Sequence, residues 1–112
     1  MTDFEEYGLD SGNGLYNFLD KLLNVKDVSG IESSQNVIHL PEYTTANWKA
    51  EKGQVRINCK LNIKEIIEKG TGLEAIANGP GDKTRPYSFL LNNMAELVDV
   101  VATLRKQEAY RK

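Results

Sequence analysis

Apolar and polar residues alternate without a break through Val55-Arg56-Ile57-Asn58-Cys59-Lys60-Leu61-Asn62-Ile63. Side chains of a strand point to opposite faces in turn, so the spacing predicts a central strand over 55–63 with Ile57 and Cys59 buried. Its wet face would carry Arg56, Asn58, Lys60 and Asn62, with no carboxylate. A different period precedes it. Leu15, Phe18, Leu19, Leu22 and Leu23 fall on one side of a 3.6-residue repeat, which predicts a helix with Asn13 as its N-cap, ending near Asn24–Lys26. The stretch 27–36 reads as a loop, Val37-Ile38-His39-Leu40 as a short strand closed by Pro41, and 43–53 as a polar segment.

Beyond Ile63 the run 64–70 fits either a helical turn or a strand continuing through a bulge, because the doubled Ile66-Ile67 interrupts strict alternation. After a turn at Gly70-Thr71-Gly72, Leu73–Ala77 alternates again and predicts a returning strand. The glycine- and proline-rich segment 78–86 reads as a mobile hairpin loop, and 87–91 as a last strand. Asn93 and Glu96 have capping-box spacing ahead of a long helix striped by Met94, Leu97, Val98, Val101 and Leu104. The expected fold is α+β: a curved antiparallel sheet with an N-terminal helix and a long C-terminal helix on one face.

Composition adds three constraints. A length of 112 residues suits one domain, read as an acidic flexible arm over 1–13 and a single α+β domain over 14–112. With Cys59 the only cysteine and His39 the only histidine, neither an intramolecular disulfide nor a Cys/His zinc site can form within one chain, and no metal or other cofactor is expected. No apolar run approaches the ~20 residues of a membrane span, and the acidic start lacks the basic and apolar regions of a secretory signal. The expectation is a cytoplasmic or otherwise intracellular protein without a membrane partner.

The net charge of −2 conceals a split. Residues 1–34 hold seven acids and two bases, whereas 35–112 hold nine acids and twelve bases, so an acidic beginning precedes a mildly basic body.

Catalysis finds little support in the chain. His39 has no Ser or Cys nucleophile in a recognisable setting. Gly79-Pro80-Gly81-Asp82-Lys83-Thr84 lacks the Gly-Lys-Ser/Thr succession of a P-loop, and Glu65 and Glu68 are most simply solvated. The chain is read as a non-enzyme. Bases interleave with aromatics in two places: Tyr43, Trp48, Lys49, Lys52, Arg56 and Lys60, then Lys83, Arg85, Tyr87 and Phe89. Single strands are held by such combinations, cations along the phosphates and rings under the bases. The candidate nucleic-acid-binding residues are therefore Trp48, Lys49, Lys52, Arg56, Asn58, Lys60, Lys83, Arg85 and Tyr87, with Trp48 and Tyr87 as stacking rings. The structural alternative puts Trp48 and Phe89 in the core and leaves the lysines to solvation.

The 55–63 strand, the basic glycine-rich loop and Ser88-Phe89-Leu90-Leu91-Asn92 feeding a long amphipathic helix together resemble the PC4-type single-stranded DNA-binding coactivators, over roughly residues 53–107. The resemblance implies single-strand binding on a curved sheet and pairing of subunits through the helix. Independently, Met94, Leu97, Val101 and Leu104 have the spacing of a helix–helix seam, and with Val98 they form the candidate homodimer interface. The competing class is a small acidic interaction module, an inhibitor or accessory factor of a polymerase or nuclease such as phages encode. Its protein partner would be engaged through the arm 1–13, where acids alternate with Phe4, Tyr7 and Leu9.

Overall fold

The computed structural model describes residues 3–29, 37–80 and 83–112. Within it the alternating stretch forms strand β4, Gln54–Cys59, with Val55, Ile57 and Cys59 buried and Arg56 and Asn58 half-buried on the other face. β4 is central in a six-stranded sheet of order β1-β2-β3-β4-β6-β5, every neighbouring pair antiparallel. The other strands are β1 (Asp27–Ser29), β2 (Val37–His39), β3 (Thr45–Lys49), β5 (Ile76–Ala77) and β6 (Tyr87–Leu91). Four helices accompany them: α1 (Asp3–Glu6), α2 (Gly12–Leu22), α3 (Leu61–Thr71) and α4 (Met94–Arg105). The class is α+β, as the periodicities imply. No helix among the described residues is long and apolar enough to cross a membrane.

The register separates the two faces. Directly opposed residues of an antiparallel pair point the same way. Ile57 therefore shares a side with Ala46 and Phe89, and Val55 with Trp48 and Leu91. These residues join one core with Leu15 and Leu19 of α2, Ile63 and Ile67 of α3, and Leu97 and Val101 of α4. Thr45, Asn47, Arg56, Asn58 and Ser88 lie on the face away from that core.

Several expectations need correction. The strand expected over 55–63 ends at Cys59, because Lys60 is the N-cap of α3. Leu61 and Ile63 continue the two-residue alternation by coincidence. What decides the matter is Ile63 and Ile67, one helical turn apart and both buried, with Gly72 at φ +79° closing the helix. β3 occupies the segment read as merely polar: only Ala46 and Trp48 of its five residues point to the core side, so too few apolar positions exist to show the alternation. Asp27–Ser29 is a strand on β2 rather than loop, while 30–36 of that expected loop lie outside the described residues, as do Gly81 and Asp82 of the 78–86 loop. The returning strand shrinks to the two residues of β5.

The acidic arm needs correction too. From residue 3 it docks on its own body; Met1 and Thr2 lie outside the described residues. Phe4 is wholly buried, its ring edge-on to Trp48 with centroids 5.7 Å apart, and Leu9 is buried behind it. An Asp3 carboxylate oxygen accepts the Met94 N–H at 2.7 Å, satisfying a donor that the first turn of α4 leaves without an intrahelical partner. Asn93 caps the same helix by accepting from Glu96 N–H at 2.9 Å, and Glu96 accepts from Asn92 N–H at 2.7 Å. The N-cap of α2 is Ser11 rather than Asn13.

The stripe on α4 is largely spent inside the chain. Met94, Leu97, Val101 and Leu104 are buried in the core, and of the five residues proposed for a dimer seam only Val98, 46% exposed, faces outward. The sheet has six strands among the described residues rather than the four expected, and α4 supplies part of their cover beside α3. A short 3-10 turn, Glu108–Tyr110, then buries Tyr110, whose hydroxyl donates to Pro41 O at 2.6 Å.

Burial pushes the Cys59 thiol up from 9.0 to about 12, with Glu68 adding to the rise and Lys64 opposing it. The folded chain thus holds a neutral thiol where the unfolded chain ionises, so this contribution to stability is complete below pH 9.0 and lost as pH rises toward 12. The loss approaches about 1.4 kcal/mol per pH unit across that window. Urea midpoints of the wild-type chain should therefore fall steeply between about pH 9 and pH 11, and those of Cys59→Ala less steeply. Equal slopes for the two proteins would contradict this role for Cys59.

Candidate functional site

On the sheet face away from the helices, β4 and β6 place Arg56, Asn58 and Ser88 side by side, and Asn78, following β5, completes a cluster. Arg56 Nε donates to Asn58 Oδ1 at 3.1 Å and to Ser88 Oγ at 3.2 Å, while Nη2 donates to Asn78 Oδ1 at 2.8 Å and Ser88 Oγ at 3.1 Å. Ser88, wholly buried, has Asn58 Oδ1 at 2.6 Å and Asn78 Oδ1 at 2.7 Å as acceptors for its hydroxyl. The Asn58 amide reaches Thr45 Oγ1 at 3.4 Å, and that of Asn78 donates to Arg85 O at 2.7 Å, tying the 78–86 loop to the cluster.

Every acceptor of Arg56 in this set is a neutral oxygen. Among the described residues no carboxylate lies within ion-pair distance of the guanidinium, and Nη1 has no acceptor. Polar packing therefore fixes the side chain in place, and none of these contacts neutralises its charge. A planar guanidinium held this way is suited to a phosphate or carboxylate oxygen.

Other cations frame the cluster. Lys49, on the same face of β3, stands 3.6 Å from Glu51, whose carboxyl lies below the usual range because its own backbone N–H binds it, with Lys49 assisting. Lys60, where β4 passes into α3, is 3.6 Å from Glu42 and lies over the Tyr43 ring at 5.3 Å. Arg85 Nε donates to Tyr43 O. Tyr43 is 62% exposed. It occupies a turn in which both Glu42 and Tyr43 take positive φ, +61° and +62°. Side chains other than glycine adopt that region at a cost. The turn is held by Leu40 N–H to Thr44 O at 2.8 Å and by the Tyr110 hydroxyl on Pro41 O.

The expected site is thus assembled only in part. Arg56 and Asn58 meet directly, and Lys49 shares their face. Lys60 and Arg85 both reach Tyr43. Lys52 lies in the turn between β3 and β4, beside a cleft lined by Glu5, Asp10 and Trp48, and Lys83 is exposed in the 78–86 loop. The two proposed stacking rings fall elsewhere. Trp48 opposes Val55 and packs on Phe4, and Tyr87 opposes Cys59 with Lys64 Nζ 5.0 Å over its ring, so both belong to the helical side. Glu68, read as simply solvated, instead pairs with Lys64 at 3.0 Å and accepts the Ala75 N–H at 3.1 Å, which together hold its carboxyl below its usual range.

The sequence alone does not single out Ser88, Asn78 and Thr45, nor Tyr43 as the ring. For Ser88 a signal existed: in β6 it stands in alternation with Tyr87 and Phe89, on the opposite face. For Asn78 there was none, because its contact with Arg56 spans 22 residues and depends on the path of the loop.

Comparison of the chain with family models, with curated proteins and with solved structures found no match.

Proposed function

We propose that the helix-free face of the sheet binds single-stranded nucleic acid, with Arg56 at the centre of the phosphate contacts and Lys49, Lys60 and Arg85 around it. The observation that carries this reading is the Arg56 guanidinium, clamped by Asn58, Asn78 and Ser88 and without a carboxylate partner among the described residues. Arg56 is half-buried, and a guanidinium withdrawn that far from water for stability alone would be expected beside an acid. Here it is oriented by neutral groups, with no acid beside it among the described residues, an arrangement that serves an incoming anion. The cations flanking it are spread along an extended face, as a backbone carrying repeated phosphates would require. The exposed ring available on this side is Tyr43, beside Lys60.

The arm makes the interaction-module reading less direct, since Phe4 and Leu9, its apolar anchors, are buried on the chain itself. The homodimer expectation likewise loses most of its seam to the core.

The test is a titration of a labelled single-stranded oligonucleotide at several salt concentrations. Arg56→Gln and Lys60→Gln should each weaken binding to all sequences alike and flatten the log–log salt dependence by about 0.7 per lost phosphate contact. Circular dichroism on the same samples separates loss of binding from loss of fold. Absence of single-strand binding at low salt, or a slope untouched by the double variant, would refute the assignment and return attention to protein partners.

A further inference from the structure

At the end of the sheet where β2 finishes and β3 begins, a cleft of about 590 Å³ opens beside the cationic face, with Asp27, His39, Pro41, Glu42, Tyr43 and Arg85 among its walls. Its size is that of a small-molecule site rather than of a surface dimple. We propose that this cleft takes one unstacked nucleobase of the bound strand, its flat face on Tyr43 and its edge toward the carboxylates of Asp27 and Glu42. The inference rests on the single-strand reading of the sheet face and supplies the base contact that reading lacks.

Three observations carry it. First, Tyr43 is exposed in a turn with two consecutive positive-φ residues, Glu42 and Tyr43. The turn is tied down from beneath by the buried Tyr110, so the exposure of the ring is built into the fold. Second, Lys60 Nζ stands 5.3 Å from the centre of the ring, so a cation lies close to a base stacked there and to the backbone that carries it. Third, the wall is of mixed charge. Asp27 and Glu42 would repel a bare phosphate, but carboxylates accept the amino and ring N–H donors of a base edge. His39, with Nε2 4.0 Å from Asp27 Oδ1, and Arg85, bonded to Tyr43 O, bracket the same opening.

The experiment has two arms. In the first, an oligothymidylate carrying one 2-aminopurine, moved along the strand, is titrated with protein. Fluorescence should be quenched when the analogue enters the cleft. Tyr43→Ala should abolish that quenching and weaken binding roughly 5- to 150-fold with little change in salt slope, the signature of a lost stacking contact. In the second, proton resonances of the Tyr43 ring and His39 imidazole are followed while a nucleoside monophosphate or inorganic phosphate is added. The nucleotide should shift them and phosphate should not. Equal shifts with phosphate would make the cleft an anion site and overturn the proposal. Undiminished quenching and affinity in Tyr43→Ala would also overturn it, while a flattened slope in Arg56→Gln left the sheet reading standing. If no strand binds yet the nucleotide shifts both resonances, the sheet reading fails and the cleft survives. If neither happens, both fail.

Discussion

Phe4→Ala is expected to destabilise the protein by about 3–5 kcal/mol, the range for removing a buried aromatic ring. Against the roughly 5–15 kcal/mol by which a domain of this kind is stable, that is a large fraction of the total. The reason lies in the packing: Phe4 has no exposed surface, and its ring meets Trp48 edge-on at 5.7 Å, so truncation leaves a cavity between α1 and β3. Local structure offers no compensation, since α1 is only four residues long and cannot persist unless docked. The chain contains a single tryptophan, which makes Trp48 emission a direct reporter of the docked state. Urea unfolding of Phe4→Ala should show a much lower midpoint, with native-state emission already shifted toward that of solvated indole. A loss under about 1 kcal/mol would mean that the first residues contribute little to the core.

The second large effect has a sign opposite to the one helix propensity suggests. Gly14 lies in the first turn of α2, where alanine would ordinarily stabilise by roughly 0.5–1 kcal/mol. A Cβ at this position would stand 1.9 Å from Gly8 O and 3.2 Å from Ser11 Oγ, the N-cap oxygen. The nearest obstacle is backbone, so relief requires moving the turn around Gly8, itself at φ +74°. Gly14→Ala should therefore destabilise by about 1–3 kcal/mol or more, as overpacking does. Thermal unfolding that shows an increased midpoint would disprove the close approach of arm and helix. Gly14→Ser, which adds a Cβ at the same place, should behave alike, separating the steric effect from propensity.

Both results bear on the function. If the arm were a tethered acidic tail, deleting residues 1–12 would remove four acids from the neighbourhood of a cationic surface and tighten binding. With Phe4 and Leu9 in the core and Asp3 capping α4, the same deletion removes part of the fold. The charge of the arm is open to test only by substitutions that leave those anchors in place.

Much of the architecture was legible because it depends on local periodicity. The 3.6-residue stripes at 15–23 and 94–104 and the two-residue alternation at 55–59 each describe one element burying one side, and α2, α4 and β4 follow from them. The α+β class and the polarity of the outer face follow as well, since Arg56 and Asn58 must point away from Ile57. What the tertiary structure alone decided are the places where local patterns tie or vanish. Leu61 and Ile63 fit strand and helix equally, and burial of Ile67 breaks the tie. β3 has two core-facing residues and becomes a strand by being enclosed between β2 and β4. The arm is too polar to order itself and is ordered by a hole beside Trp48 and an uncapped N–H at Met94. At the site, the sequence by itself determined that Arg56 would sit on a wet strand face. That Ser88 and Asn78 would hold it, that Trp48 and Tyr87 would turn to the helical side and that Tyr43 would stand beside the cations depended on strand register and loop path. These are long-range contacts, whose partners lie tens of residues apart and whose geometry no local repeat encodes.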